Sequence, residues 1–440
     1  MRLALTEIIN ATGGVLIGGA PPDKNVTIRG VSIDSRGSVK DKLFVPVCGD
    51  NFNGHDFIED AIKRGAVCSL TEKDIDGSFP IVKVKSARQA LIDLAVYSRE
   101  SFSGPVVAIT GSAGKTTTKD MIASVLSQKY LTLKTKGNFN NDIGLPLTLL
   151  SRDSDHTAMV LEMGMNHRGE IRLLSSIGKP DICLITNIGD AHIENLGSRE
   201  GILEAKCEIF EGMKKGGTVI LNGDDILLSA LPEIPHAGKT IYCRMTDAAD
   251  IKNNGLKGTV CKISGTPVEI PLPGEHMIMN AIMAFTVGVE LGLSGREIAD
   301  GIRTFTPSGN RMAISQIDSG ITLINDTYNA SPPSMKAAID MLANADGRKV
   351  CILGDMLELG KYAEDMHKDV GRYASQKADL IISVGTLSKH MAANRHFDTK
   401  EALIDEIGSL LLPGDTVLIK ASRGMALETV ADALKQGDEL

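Results

Sequence analysis

The chain of 440 residues has no tryptophan, and aromatic residues make up only 4% of it. Its cores must therefore be filled by aliphatic side chains. Positive charge is not in excess either. Lys and Arg number 47 against 55 Asp and Glu, a net charge of −8, which excludes the basic footprint of a nucleic-acid-coating protein. No apolar run approaches the ~20 residues of a membrane helix. Glu7 and Asn10 interrupt the N-terminal stretch where a secretory leader would be continuously apolar. The seven cysteines are odd in number and show no CxxC pair and no zinc spacing, so neither a disulfide framework nor a metal knuckle is expected. These absences point to a cytoplasmic protein with no nucleic-acid partner and no membrane insertion. The length predicts about three domains, each large enough to bury a core.

What is present is alternation. Residues 1–103 mix short strand-like runs (42–47, 80–84) with a helical stretch at 55–64. The Ser-Phe-Ser-Gly-Pro run at 101–105 breaks both periods and reads as a linker. Beyond it the pattern predicts strands at 106–110, 157–163 and 181–186, with helices at 116–129, 168–177 and 198–213. Strands spaced by helices of this length imply right-handed βαβ units and a parallel sheet. The segment 215–273 is glycine-rich with short strands and is expected as an antiparallel edge, followed by a helix at 276–292. After a second break at 306–310, strands at 320–325, 349–353, 379–384 and 415–420 alternate with helices at 333–343, 363–377 and 424–435. The expected fold class is α/β in three domains. They are a small α/β N-terminal domain (1–103), a central P-loop parallel-sheet ATPase domain (104–310) and a C-terminal Rossmann-like α/β domain (311–440).

The sequence TGSAGKTT at 110–117 lies between the apolar run 106–110 and a helix with Met121, Ile122, Val125 and Leu126 on one face. Strand, glycine turn and helix N-terminus together make an anion cradle. Gly111 and Gly114 let the backbone N–H groups of Ser112 and Ala113 converge, Lys115 supplies charge, and Thr116, followed by Thr117, offers a hydroxyl to Mg²⁺. Ile109 stands where the full Walker pattern has glycine, so the loop is a shorter version. No Asn-Lys-x-Asp guanine-reading motif follows, which points to ATP.

Phosphate chemistry also needs a metal and a positioned nucleophile. Glu162 ends an apolar strand, where such sheets place their sites, and is either a metal ligand or a cap for the next helix. His192 follows another buried strand. Lys206 falls in the middle of the apolar face formed by Ile202, Leu203, Ile209, Phe210 and Met213. A bare ammonium there is unfavourable. Either its head reaches the rim, or it is paired, deprotonated, or converted by CO₂ to a carbamate that can bind Mg²⁺.

Together these residues resemble the Mur ligases, cytoplasmic ATP-dependent amide-forming enzymes of peptidoglycan precursor assembly. The resemblance covers essentially the whole chain. It is carried by DSR (34–36), KLFVP (42–46), TGSAGKTT, TKGNFNNDIG (135–144), LEMGMNHRGE (161–170) and EAK (204–206), and by GEHMIMN (274–280), NRM (310–312), NDTYNA (325–330), GDMLELG (354–360) and KASR (420–423). NNDIG, NHRGEI, DTYNA and LGDMLELG most resemble the branch whose members join D-alanyl-D-alanine to UDP-N-acetylmuramoyl-tripeptide, which the resemblance implies as substrates.

The resemblance implies that Lys115, His192 and Lys206 are catalytic. Thr116, Glu162, His192 and a carbamylated Lys206 would hold Mg²⁺. Asn280 would contact adenine, and Arg311 and Asp326 would reach ATP. Ser35 and Arg36 would hold the uridine end, Asn140 and Asn141 the middle of the UDP-sugar-peptide, and Tyr328 and Asn329 further substrate. A monomer with large domain motions is implied. Asn325 stands where Asp is common, and Ala421 where Gly is usual. A sibling ligase adding a diamino acid is the nearer alternative, although its acidic-Asn-Pro-Arg motif is absent from the C-terminal third. A non-ligating P-loop switch is the more distant one, and it would have no need of Lys206.

Overall fold

The structure is a computed structural model that describes residues 2–19, 27–49, 52–75, 77–317 and 320–436. Its centre is a six-stranded, wholly parallel sheet in the spatial order Lys239–Cys243, Thr218–Asn222, Ile182–Ile185, Val106–Thr110, Ala158–Glu162 and Thr132–Lys134. Strand Val106–Thr110 is fully buried, as its unbroken apolar run requires of a strand covered on both faces. On one face Val107, Ile109, Val160 and Leu184 pack against Ile278, Ile282 and Phe285 of helix Glu275–Glu290. On the other, Ala108, Met159 and Cys183 meet Leu149, Ile171 and Ile202. That second core runs on into the N-terminal region through Leu91 and Leu94 of helix Ala87–Glu100.

The N-terminal region carries a five-stranded sheet in the order Val15–Leu16, Ile81–Lys83, Cys68–Thr71, Leu43–Phe44 and Val31–Ser32, with only the first pairing antiparallel. The C-terminal sheet has the order Ala313–Gln316, Thr322–Asp326, Thr416–Lys420, Lys349–Gly354, Leu380–Val384 and Arg395–Phe397. It too has a single antiparallel pairing, made by its first strand. Among the described residues no helix is long and apolar enough to cross a membrane.

The structure departs from the pattern reading in instructive places. The segment 215–273 is not one antiparallel edge. Thr218–Asn222 and Lys239–Cys243 extend the central sheet in parallel, while Ala248–Asn253, Thr259–Ile263 and Thr266–Ile270 form a separate antiparallel sheet. Within it Thr259, Cys261 and Ile263 are buried and Val260 and Lys262 exposed, the alternation of a sheet covered on one face. The helix expected at 198–213 ends at Cys207 and tightens to a 3₁₀ turn over Glu208–Phe210. There the Glu208 carboxylate turns away to accept the Gly169 N–H at the start of helix Glu170–Gly178. Helices Gly295–Arg303 and Lys400–Leu410 and strands Ala313–Gln316 and Arg395–Phe397 were not anticipated.

Candidate nucleotide and metal site

The glycine loop emerges from the C-terminal end of Val106–Thr110 and closes on helix Lys115–Leu126. The strands Ala158–Glu162 and Ile182–Ile185 lie on opposite sides of Val106–Thr110, both parallel to it, and open α/β sheets bind ligands at the carboxyl ends of such strands. Gly111 and Gly114 adopt φ of 152° and 78°, and a Cβ on Gly111 would fall 1.9 Å from the Thr186 hydroxyl. Only glycine allows that approach.

The segment after the third strand braces the loop. Thr186 donates its hydroxyl to Ala113 O (2.6 Å), and Asn187 accepts the Ala113 N–H (2.9 Å) and donates to Ala113 O (3.1 Å). The Ser112 N–H reaches Asn187 O, and the Ser112 hydroxyl accepts from Gly189 N–H. Lys115 folds back to donate to Gly111 O at 2.7 Å. Thr117 is buried in the first turn of the helix.

The metal candidates converge only in part. The Thr116 hydroxyl donates to Glu162 Oε2 and the Asn140 amide to Glu162 Oε1, both at 2.8 Å. Asn140 thus faces the carboxylate of the phosphate end. Glu162 is buried, its N–H is taken by the Thr135 hydroxyl, and the Lys119 ammonium stands 3.9 Å from Oε2. It caps no helix. Among the described residues no cluster of three or more His, Cys, Asp or Glu side chains forms a metal cage. A hydroxyl, one carboxylate and one imidazole nonetheless form a donor set compatible with Mg²⁺, which keeps several waters and takes few protein ligands.

His192 takes a left-handed backbone, φ 64° and ψ 20°, at the head of the short helix Ile193–Leu196. Burial, helped by Lys115, Lys206 and His167, pushes its pKa down to about 4, so the ring is neutral. Its Nδ1 lies 3.4 Å from Glu358 of the C-terminal region. Lys206 is 2% exposed and has no hydrogen bond or ion pair among the described residues. Burial, with the charge of Lys115 adding to it, drives its pKa well below the usual lysine value. Burial lowers the Lys115 pKa as well, against the attraction of Glu162 and with the repulsion of Arg311.

Asn280 is buried on helix Glu275–Glu290 and accepts the Thr118 hydroxyl at 3.1 Å, close behind Gly114. Arg311 stacks 3.7 Å above the Tyr328 ring, and Arg423 lies near the same ring at 5.3 Å. The Arg311 Nε is buried without a partner. Asp326 accepts from Met312 N–H and from the Lys420 ammonium (2.5 Å), which also reaches Asn329 O. In this arrangement Asp326 fixes the turn at Met312, where φ is 52°.

The N-terminal candidates lie elsewhere. Arg36 forms a two-point ion pair with its neighbour Asp34 on the surface. Ser35 is buried beside Asp60, whose carboxyl is held below the usual carboxylate range by Arg64 first and by Ser35 second. Asn141 accepts Gly144 N–H at the start of helix Gly144–Leu150, a capping contact. The sequence reading did not single out Thr186, Asn187, Thr135, Lys119 or Glu358. The signal available for the first two was a polar pair directly after a buried strand at the level of the loop.

Three family models match the chain. The Mur ligase family catalytic domain matches 27–99, the Mur ligase middle domain 109–288, and the Mur ligase glutamate ligase domain 310–423. The UDP-N-acetylmuramoyl-tripeptide–D-alanyl-D-alanine ligase of Bacillus subtilis (strain 168) is 39% identical over 434 residues, 94% of each chain. Among solved structures, MurF from Acinetobacter baumannii has a TM-score of 0.89 at 31% identity over 99% of both chains. The MurF ligase from Thermotoga maritima in complex with ADP has 0.82 at 28% identity, over 94% of this chain and 98% of its own.

Proposed function

The chain belongs to the Mur ligase family, and on that premise we propose that it joins D-alanyl-D-alanine to UDP-N-acetylmuramoyl-tripeptide in peptidoglycan precursor synthesis. ATP supplies the driving force and leaves as ADP and phosphate. The choice of acceptor is supported by the near-full-length likeness to the Bacillus subtilis ligase, and the use of ATP by the ADP complex of the Thermotoga maritima relative. The free state of all seven cysteines agrees with a cytoplasmic location. The proposed domain limits are 1–103, 104–310 and 311–440.

A peptide carboxylate is a poor electrophile, so one of its oxygens first attacks the γ-phosphoryl group, forming an acyl phosphate and releasing ADP. The amine of the dipeptide then attacks the acyl carbon. The tetrahedral intermediate collapses with loss of inorganic phosphate, and the ammonium proton passes to solvent. Lys115 leaves Gly111 O to neutralise the β- and γ-phosphates, and the loop N–H groups hold them in line. Thr116, Glu162, His192 and Lys206 would hold Mg²⁺, which when bound supplies charge neutralisation for the transferred group.

The observation that carries the assignment of ligase over simple nucleotide switch is Lys206. It is buried beside the phosphate loop with no hydrogen-bond or ion-pair partner among the described residues, and burial drives its pKa well below the usual lysine value, a shift toward the free amine that combines with CO₂ to give a carbamate and a proton. His192, its ring neutral, offers a lone pair. Asn280 lies behind the loop for the nucleoside. Arg311, with its free Nε over Tyr328, approaches from the linker side. Asp326, which fixes the turn at Met312, is assigned with Arg311 to ATP; Ser35, Arg36, Asn140 and Asn141 are assigned to the UDP-sugar-peptide, and Tyr328 and Asn329 to further substrate. Water has to be excluded while the acyl phosphate exists, a task for closure of the three domains.

The test is phosphate release with UDP-N-acetylmuramoyl-tripeptide and ATP. D-Alanyl-D-alanine should stimulate it far more than free diaminopimelate or lysine. A free amino acid as the better acceptor would transfer the protein to the sibling branch, and release independent of any acceptor would make it a nucleotide hydrolase.

A further inference from the structure

Lys119 is the largest buried group near the site that the reaction above leaves without a task. It lies in the second turn of helix Lys115–Leu126 and is 0% exposed. An ammonium so placed must be satisfied where it stands. Its proton donors face three oxygens on three segments: Thr135 O at 2.8 Å, Asp120 Oδ1 at 3.3 Å and Glu162 Oε2 at 3.9 Å. Thr135 in turn accepts the Glu162 N–H on its hydroxyl at 3.0 Å. Lys119 therefore meets Glu162 by two routes. One is the charge beside the carboxylate, and the other is the Thr135 backbone, whose side chain pins the Glu162 backbone.

Charge balance separates this from an ordinary core ion pair. Asp120 already has the Lys134 ammonium at 2.7 Å, and its other oxygen accepts from the Ser308 hydroxyl at 2.5 Å. Asp120 would thus be balanced without Lys119. Glu162 would keep only the more distant attraction of Lys115, because Lys119 is its sole cation at ion-pair distance among the described residues. A buried ammonium that only filled space would be outperformed by an apolar side chain of the same length. The surplus charge matches Glu162.

We infer that Lys119 is a positioning residue that fixes the Glu162 carboxylate for the divalent cation accompanying the nucleotide, acting through Thr135 and through its charge. The inference rests on the reading of Glu162 as a Mg²⁺ ligand. Groups standing behind a metal ligand orient it, and losing one weakens metal binding by about 10-fold or more.

The experiment is calorimetric titration of the full chain with ADP, with and without Mg²⁺, alongside a thermal melt. In wild type Mg²⁺ should tighten ADP binding. In Lys119→Met that tightening should shrink by about 10-fold while Mg²⁺-free ADP affinity stays unchanged, a split that a merely structural role would not produce. Thr135→Val, which keeps the backbone oxygen and loses the hydroxyl, should move the same quantity in the same direction by less. A cooperatively melting Lys119→Met with wild-type Mg²⁺ dependence overturns the inference. If Lys119→Met does not fold, Thr135→Val decides, and wild-type behaviour in it overturns the inference equally. Absence of any Mg²⁺ effect in the wild-type chain would instead remove the metal reading of Glu162, and the inference with it.

Discussion

Replacing Asn187 by alanine tests whether the phosphate loop is held by its neighbours or by its own glycines. The side chain makes two hydrogen bonds to Ala113, accepting its N–H at 2.9 Å and donating to its carbonyl at 3.1 Å. The carbonyl keeps a second partner, the Thr186 hydroxyl at 2.6 Å, so truncation orphans only the N–H. Leaving a buried donor unpaired costs about 1–3 kcal/mol. Ala113 is only half-buried, which puts the loss near the lower end, at about 1–2 kcal/mol. If the loop must be re-formed when nucleotide enters, ADP should bind roughly 5- to 30-fold more weakly. Thr186→Val removes a donor to an oxygen that Asn187 still serves, so its effect should be smaller. Calorimetric ADP titration of both variants, checked by thermal melting, reads the two numbers. Undiminished affinity in Asn187→Ala, or a larger loss in Thr186→Val, would show that the brace does not govern the loop.

Two further predictions concern the buried groups beside the loop. Lys206→Ala should lose most ligation while still binding ATP, and formate or acetate should restore part of it by supplying the missing oxygens, whereas chloride at equal ionic strength should not; an active Lys206→Met would reduce the residue to packing. His192 titrates near 6.5 when unfolded and about 4 when folded, so the unfolded chain binds the extra proton as pH falls and the folded state loses stability below about 6.5. At pH 5 the loss is about 2 kcal/mol, and urea unfolding of His192→Asn should show a correspondingly shallower decline between pH 7 and 5; identical pH dependence in the two proteins would mean the imidazole is not held neutral.

The central site was legible where its signal is local. A buried strand, two glycines, Lys115 and Thr116 follow one another within a dozen residues, and the folded loop adds nothing to their order. Lys206 was legible because a helical period places it among apolar neighbours. The parts that escaped depend on contacts between distant segments. Asn187 is 74 residues from the alanine it holds, and Lys119 reads as one more polar residue on a helix until Thr135 and Glu162 are brought beside it. The same limit explains Asn140, whose partner Glu162 lies on another strand. It also explains the edge strand Ala313–Gln316, which has meaning only against Thr322–Asp326. Asp34 and Arg36 illustrate the converse, a motif visible in the sequence whose side chains satisfy each other in the fold.

The brace around Ser112 and Ala113 has a consequence for how fast and with what heat nucleotide arrives. With the loop already shaped and Lys115 resting on Gly111 O, entry exchanges one partner of an ammonium for another. No conformational search precedes the encounter, so the association rate is set by diffusion and access. The loop also contributes little apolar burial, and apolar burial is what lowers heat capacity on binding. A strongly negative heat-capacity change on adding ADP would therefore be a measure of the domains moving together, separable in the calorimeter from the filling of the loop itself.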